Sequence, residues 1–88
     1  MSVALGQVVV SKAGRDTGRK FIVVNIIDDK YVEISDRSLR KLEKPKKKKL
    51  KHLIVTNEMV EPLAEKLRNN MKITNAEIRR ALKSLDEH

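Results

Sequence analysis

The chain contains no cysteine and no tryptophan, and its aromatic residues are one phenylalanine, Phe21, and one tyrosine, Tyr31. Without thiols, neither a disulfide framework nor a thiolate metal site can form. The two histidines, His52 and His88, stand far apart in the sequence, with no metal-ligand spacing around either. We therefore expect no metal site and no cofactor.

Long apolar segments are also missing. The longest near-continuous apolar stretch covers residues 21–27 and contains Asn25, whereas a membrane helix requires roughly 18 to 20 apolar residues. The first ten residues lack the basic start and the small-residue cleavage site of a secretory signal. These features predict a soluble cytoplasmic protein that does not bind a membrane.

Features of an enzyme are equally scarce. A chain of 88 residues has room for one small domain with a marginal core, which leaves little space for an enclosed pocket. Asp28 and Asp29 are adjacent carboxylates, but neighbours in a tight turn point apart and favour turn formation over acid/base chemistry. No serine has a histidine at a recognisable spacing, and no phosphate-binding loop motif occurs. We expect no catalytic activity and no small-molecule substrate.

The chain does carry a large positive charge, and it is concentrated in one segment. Residues 37–52 hold nine Lys or Arg residues and a single acid, Glu43, a net charge of +8 that equals the formal charge of the whole protein. Residues 1–36 hold five bases and five acids, and residues 53–88 hold six of each. Such a concentration predicts a polyanionic partner, most often nucleic acid. The run alone leaves a solvated basic linker as the alternative.

Short apolar runs separated by Gly, Asp and Ser predict β structure in the first half of the chain. The expected strands cover residues 3–11, 20–27, 31–35 and 52–56, with Asp28 and Asp29 in the turn between the second and the third. Residues 21–27 are apolar on nearly both faces, which indicates a central strand covered on both sides.

The lysine cluster at residues 46–49 is expected to be a basic loop pinned at both ends, because Leu42, Leu50 and Leu53 flank it closely. Leu39 and Leu42 are candidates to anchor a short strand or turn inside the basic segment, which Pro45 then interrupts.

After Thr56 the apolar period changes from two residues to about 3.6. The first predicted helix carries Val60, Leu63, Ala64 and Leu67, with Pro62 near its first turn and Asn69 and Asn70 at its end. Thr74 and Glu77 form a capping-box pattern before a second helix with Ile78, Ala81, Leu82 and Leu85. Two short helices with apolar stripes must pack on the sheet or on a partner.

The glycine spacing in residues 6–24, GQVVVSKAGRDTGRKFIVV, resembles the KOW motif, a glycine-centred hairpin of several ribosomal proteins and transcription elongation factors. Gly14 stands where that motif keeps its central glycine, and Gly18 matches its second loop glycine. Independently of the resemblance, a sharp turn between strands needs residues that can adopt φ > 0, and a glycine lets the backbone come close to a phosphate. Turn geometry without any ligand is the alternative explanation for both glycines.

The resemblance extends beyond the hairpin. Residues 29–53 are similar to the second half of the KOW domain in the family of the fourteenth eukaryotic-type large-subunit ribosomal protein, so the resemblance covers about residues 3–56. It implies a small SH3-like β-barrel and non-catalytic binding of ribosomal RNA, with ribosomal proteins as further partners. We therefore predict a mainly β fold with C-terminal α structure. A KOW barrel would occupy residues 1–56, including the basic segment, and a helical pair at residues 57–88 would pack on it.

The predicted RNA-binding residues are the bases of the glycine loop and of the basic segment, which would have to lie side by side as one surface. They are Lys12, Arg15, Arg19, Lys20, Arg37, Arg40, Lys41, Lys44, Lys46, Lys47, Lys48, Lys49, Lys51 and His52, together with the loop glycines Gly14 and Gly18. Because Phe21 is expected in the core, almost no ring is left for base stacking. We expect contacts to the phosphate backbone and a strong dependence on salt.

Two alternatives share the composition. The first is a protein-interaction adaptor, in which the helices grip a partner through an exposed apolar face formed by Val60, Leu63, Leu67, Ile78, Leu82 and Leu85. The second is a transcription-associated KOW module, which has the same fold but requires binding to a polymerase.

Overall fold

Five antiparallel strands form one sheet, and two helices follow it, in a computed structural model that describes residues 3–36 and 41–86. The strands are β1 (Gln7–Ser11), β2 (Lys20–Ile26), β3 (Tyr31–Ser35), β4 (Lys46–Lys49) and β5 (Leu53–Met59), and the helices are α1 (Leu63–Arg68) and α2 (Asn75–Asp86). The strand order is β4-β3-β2-β1-β5. The predicted mainly β fold with two C-terminal helices is confirmed. Because β4 and β5 are the two edges, the strands of the described residues do not close into a hydrogen-bonded ring.

The lysine cluster is a strand, which corrects the predicted basic loop. Lys46–Lys49 forms β4 and pairs along its whole length with β3. Every second lysine of β4 lies opposite a buried apolar residue of β3: Lys46 pairs with Ile34 and Lys48 with Val32, and both of these partners are fully buried. The long apolar stems of the lysines allow them to cover such a surface while their ammonium groups stay in water. Leu42 lies in a turn before β4, and Leu39 lies outside the described residues.

The last strand also differs from its predicted bounds of residues 52–56. His52 belongs to a 3₁₀ helix at Leu50–His52, and β5 runs from Leu53 to Met59. The extra length of β5 comes from its pairing with β1. The register between the two strands shifts between Val9 and Gln7, and the pairing continues with Gln7 opposite Met59. A bulge of this kind cannot be read from the apolar pattern of a single strand.

The central strand β2 is covered on both faces, as the sequence predicted. Phe21 and Val23 join an inner core with residues of β1, β3 and the 3₁₀ helix. Ile22 and Val24 pack on the opposite face against the two helices. The β2–β3 register shifts between Val23 and Asn25, so Val24 is an extra residue in β2. This bulge allows Val24 and Asn25 to share the outer face.

The helices bury their apolar stripes against the outer face of β2. Leu63 of α1 and Ile78 and Leu82 of α2 are at most 3% exposed and form one cluster with Ile22. Helix α1 begins at Leu63, later than the apolar spacing from Val60 suggested, because the preceding residues leave β5 and turn. The packing is required because a six-residue helix has no independent stability in water.

The predicted capping box at the start of α2 is confirmed. The Glu77 amide donates to Thr74 Oγ1 at 3.2 Å, and the Thr74 amide donates to Glu77 Oε1 at 3.2 Å. Glu77 also accepts a hydrogen bond from Lys66 Nζ of α1 at 2.9 Å. This Lys66 hydrogen bond is the main reason that the pKa of Glu77 lies below its ordinary value of 4.5. One carboxylate thus caps α2 and ties it to α1.

Gly6, just before β1, lies directly against Ala64 of α1. Its amide donates to Val23 O at 2.8 Å, and its carbonyl oxygen accepts from the Val60 amide at 3.0 Å. Its φ is +83°, and an added Cβ would overlap the backbone and side chain of Ala64. Only glycine fits this position without strain.

We expect Gly6→Ala to lower the free energy of unfolding by about 2 to 4 kcal/mol, because it combines an unfavourable left-handed backbone with steric overlap. Gly14→Ala is the matched control, since Gly14 has a φ of +79° but an added Cβ there meets nothing within 4 Å. It should cost about 1 to 2 kcal/mol. Chemical denaturation of both variants makes the comparison, and equal losses would contradict the close approach of α1 to Gly6.

We also expect acid to weaken the fold through Glu77. Because its pKa is lower in the folded protein, this carboxylate contributes stability that is present above its unfolded pKa and is lost as pH falls through the folded value. Between pH 6 and 3, the free energy of unfolding should therefore fall more steeply for the wild type than for Glu77→Gln. Glu58→Gln, which removes an exposed carboxylate at the end of β5, is the control. Parallel pH profiles for wild type and Glu77→Gln would contradict this role.

Candidate nucleic-acid interface

The loop between β1 and β2 is built around its two glycines. Gly14 and Gly18 have φ values of +79° and +87°, as the sequence predicted for a sharp turn between strands. The loop is closed by hydrogen bonds from the Gly18 amide to Ser11 O at 2.7 Å and from Thr17 Oγ1 to Gly14 O at 2.6 Å. A Cβ added at either glycine would face open space, so a ligand can approach this backbone closely. Arg15 and Arg19 are exposed beside the glycines.

The end of the basic segment lies against this loop. The Lys12 amide donates to His52 O at 3.0 Å, which joins the start of the loop to the 3₁₀ helix. Lys48 Nζ of β4 donates to Ala13 O at 3.4 Å. These contacts bring together basic residues that are far apart in the sequence. We call the resulting group the loop-side surface: Lys12, Arg15, Arg19, Lys48, Lys51 and His52.

The pKa of His52 responds to several of these positive charges. Its pKa lies below the ordinary value of 6.5, first because burial disfavours the imidazolium ion and then because of the positive charges of Lys51, Lys48, Lys49 and Lys12. Cations from the loop, from β4 and from the 3₁₀ helix therefore act on the same imidazole. A site with this much unbalanced positive charge favours an anion.

The four lysines of β4 are divided between the two faces of the strand. Lys47 and Lys49 share a face with Tyr31 of β3, and their Nζ atoms lie 4.6 and 5.7 Å from the centroid of its ring. Lys46 and Lys48 lie on the inner face opposite Ile34 and Val32. The lysine cluster therefore presents ammonium groups to both sides of one edge of the sheet.

The other predicted residues are distributed as follows. Lys20 begins β2 opposite Val10 and is half-buried. Lys41 and Lys44 are exposed and flank a turn that contacts α2 rather than the glycine loop. Arg37 and Arg40 lie outside the described residues.

Lys30 was missed by the sequence analysis. It lies in the β2–β3 turn, where Asp28 Oδ1 accepts from the amides of Lys30 and Tyr31 at 2.8 Å each. The Lys30 carbonyl oxygen accepts from the Leu50 amide at 2.8 Å, which brings this turn to the 3₁₀ helix. A cavity of about 420 Å³ here is lined by Asp29, Lys30, Lys49, Leu50 and Lys51. No local signal in the sequence marks Lys30, because its position depends on the pairing of β3 with β4.

The helices contribute a different kind of feature. A cleft of about 800 Å³ separates α1 from α2, and both acids and bases line it, including Glu61, Glu77, Lys66 and Arg80. The apolar stripes that motivated the adaptor alternative lie against β2 in one cluster.

Within the described part of the chain, no helix is long and apolar enough to cross a membrane. Residues 3–36 and 41–86 contain no group of three or more His, Asp or Glu side chains able to hold a metal ion.

Among the known proteins that this chain resembles are two relatives that carry the same name. Over 59 residues, 67% of this chain, the sequence is 36% identical to the large ribosomal subunit protein eL14 of Desulfurococcus amylolyticus and covers 62% of that protein. It is 34% identical over 59 residues to the large ribosomal subunit protein eL14 of Pyrobaculum arsenaticum and covers 57% of it. No protein-family model matches the chain.

The chain thus spans about six-tenths of the length of the relatives that it matches. Its similarity to the large ribosomal subunit protein eL14 confirms the family resemblance predicted from the sequence.

Proposed function

We propose that this protein is a non-catalytic RNA-binding protein of the large ribosomal subunit, or one associated with it, that holds structured ribosomal RNA through the phosphate backbone. The observation that carries the proposal is the convergence of the glycine loop and the basic segment at the contacts of Lys12 with His52 and of Lys48 with Ala13. The names of the two relatives support the ribosomal setting. The same proposal gives the protein ribosomal RNA and neighbouring ribosomal proteins as its partners, and it places the protein in the cytoplasm.

We also propose that the sheet is a KOW-type SH3-like barrel, predicted at residues 1–56 and extended by β5 to Met59, on which the helical pair predicted at residues 57–88 packs. The strand order, with β5 next to β1 and a 3₁₀ helix between β4 and β5, supports this assignment. The hydrogen bond from Lys48 Nζ to Ala13 O supports it further, because it brings an edge strand back towards the end of β1. The inner core, which includes Val9, Phe21 and Ile34, would fill the interior of such a barrel.

In this proposal the loop-side surface recognises phosphates by charge and by close approach. Arg15 and Arg19 can each fork onto phosphate oxygens, whereas the lysines act as point charges. Open space above Gly14 and Gly18 leaves room for a phosphate against the loop backbone. Recognition by shape rather than by base sequence follows, because the described surface offers few rings for stacking.

The proposal predicts how affinity depends on salt. Lys12→Gln combined with Lys51→Gln removes two exposed cations from the loop-side surface. If each neutralises one phosphate, the slope of log affinity against log salt should become shallower by about 1.4 to 1.8, and affinity at low salt should fall. The measurement is binding to hairpin fragments of large-subunit ribosomal RNA across a salt titration, with a matched DNA duplex as competitor.

Arg68→Gln combined with Lys72→Gln is the matched control, because it removes two charges from exposed positions near the end of α1. Its cost to the fold should be small, since the Arg68–Glu61 ion pair is exposed and 3.3 Å long. This control should keep the wild-type salt slope. Equal effects of the two double variants would contradict the loop-side surface, and absence of RNA binding by the wild type at low salt would contradict the proposed function.

Bound RNA should also change the protonation of His52. The lysines that lower the pKa of His52 would be neutralised by phosphates, so its pKa should rise when RNA binds. NMR titration of the imidazole with and without an RNA hairpin measures this shift, and His88→Gln leaves His52 as the single histidine. In the free protein, Lys48→Gln should raise the pKa of His52 in the same direction. An unchanged or lowered pKa in the complex would place the RNA elsewhere.

A further inference from the structure

Three exposed bases lie on α2 outside its apolar stripe, although residues 53–88 are neutral in sum. Ile78 and Leu82 point into the core and are at most 2% exposed. At 100° per residue, Arg80 falls opposite Ile78 and Leu82, on the side that also lines the cleft with α1, and Arg79 and Lys83 lie on the flank between Arg80 and the buried stripe; all three are exposed. The acid Glu77 is turned towards Lys66 of α1. The fold therefore separates charges that a count along the chain shows as balanced.

A second set of cations is fixed beside this helix face. The Leu42 amide donates to Asn75 Oδ1 at 2.8 Å, and Asn75 Nδ2 donates to both carboxylate oxygens of Glu43 at 2.7 and 2.9 Å. The Asn75 hydrogen bond is also the main reason that the pKa of Glu43 is lowered. The turn that carries the exposed Lys41 and Lys44 is thus held at the first residue of α2.

These cations belong to one side of the helix. Asn75, Arg79 and Lys83 are spaced by four residues, so they lie in one row along α2 with a rise of about 6 Å between neighbours. The turn therefore extends the basic row at its N-terminal end. We call this group the helix-side surface: Lys41, Lys44, Arg79, Arg80 and Lys83.

The helix-side surface is separate from the loop-side surface. The turn at residues 41–44 leads into the first residue of β4, whereas the 3₁₀ helix that contacts the glycine loop follows the last residue of β4. The two ends of a four-residue strand are about 10 Å apart. Moreover, α2 lies over the outer face of β2, on the side away from the inner core that Lys48 covers.

We propose that the helix-side surface binds a second segment of RNA, so that this protein holds two RNA segments at once. The inference rests on the proposed function. Charge complementarity favours a polyanion over a protein partner, because the row of cations contains no exposed aromatic or large aliphatic side chain to act as an anchor. Arg79 and Arg80 can each bind a phosphate through two hydrogen bonds, and Lys83 adds a point charge one turn further on.

The number of RNA molecules bound per protein tests this inference. With a short RNA hairpin in excess at moderate salt, we expect the wild type to bind two hairpins, as measured by native mass spectrometry and sedimentation. Arg79→Gln combined with Lys83→Gln should weaken the second binding event at least about tenfold and leave the first within about twofold. Gln has a helix propensity close to those of Lys and Arg, and circular dichroism checks that the helices remain.

The control is again Arg68→Gln combined with Lys72→Gln, which should keep both binding events. A wild type that binds one hairpin, with the same affinity as the α2 variant, would overturn the second surface and leave the proposed function intact. A wild type that binds one hairpin, with weaker binding by the α2 variant, would overturn the two-segment arrangement, since both surfaces would then serve one RNA. A wild type that binds no hairpin would overturn the proposed function and this inference together.

Discussion

The burial of both faces of β2 is the constraint on which the rest of the molecule depends. Its inner face, through Phe21 and Val23, organises the core of the sheet, and its outer face, through Ile22 and Val24, receives the two helices. Helices as short as α1 acquire stability only from such packing. The same strand carries the glycine loop at its start, so the position of β2 fixes the helices and the loop relative to each other.

That arrangement determines where the positive charge can go. The interior of the sheet and the helix contacts have no space for solvated ammonium groups, so the basic segment occupies an edge strand, a turn and a 3₁₀ helix. Edge strands tolerate lysine well because one side of the strand remains open to water. The consequence is a set of like charges held close together, which adds to the effect of burial in lowering the pKa of His52. An anion at this surface relieves a repulsion that the fold itself maintains.

The sequence pattern predicted those strands, helices and turns in which apolar, polar and glycine residues occur at characteristic spacings. The apolar run of β2, the capping box of α2 and the positive φ values of Gly14 and Gly18 were all readable from the sequence. A run of identical residues contains no alternation, so the lysine cluster gave no sign that it is a strand. Its pairing with β3 joins residues about 15 positions apart and depends on the whole sheet. The position of Lys30 was unpredictable for the same reason.

The helix-side surface shows a further limit of reading charge along a chain. Counting acids and bases over residues 53–88 gives zero, but the potential that a ligand meets depends on where the side chains emerge. Here Glu77 is engaged by Lys66, and Glu61 is engaged by Arg68, whereas Arg79 and Lys83 are exposed outside the apolar stripe of α2. Burial of Ile78 and Leu82 fixes that orientation of the helix. The apolar stripe of α2 therefore sets the direction in which its positive charges face.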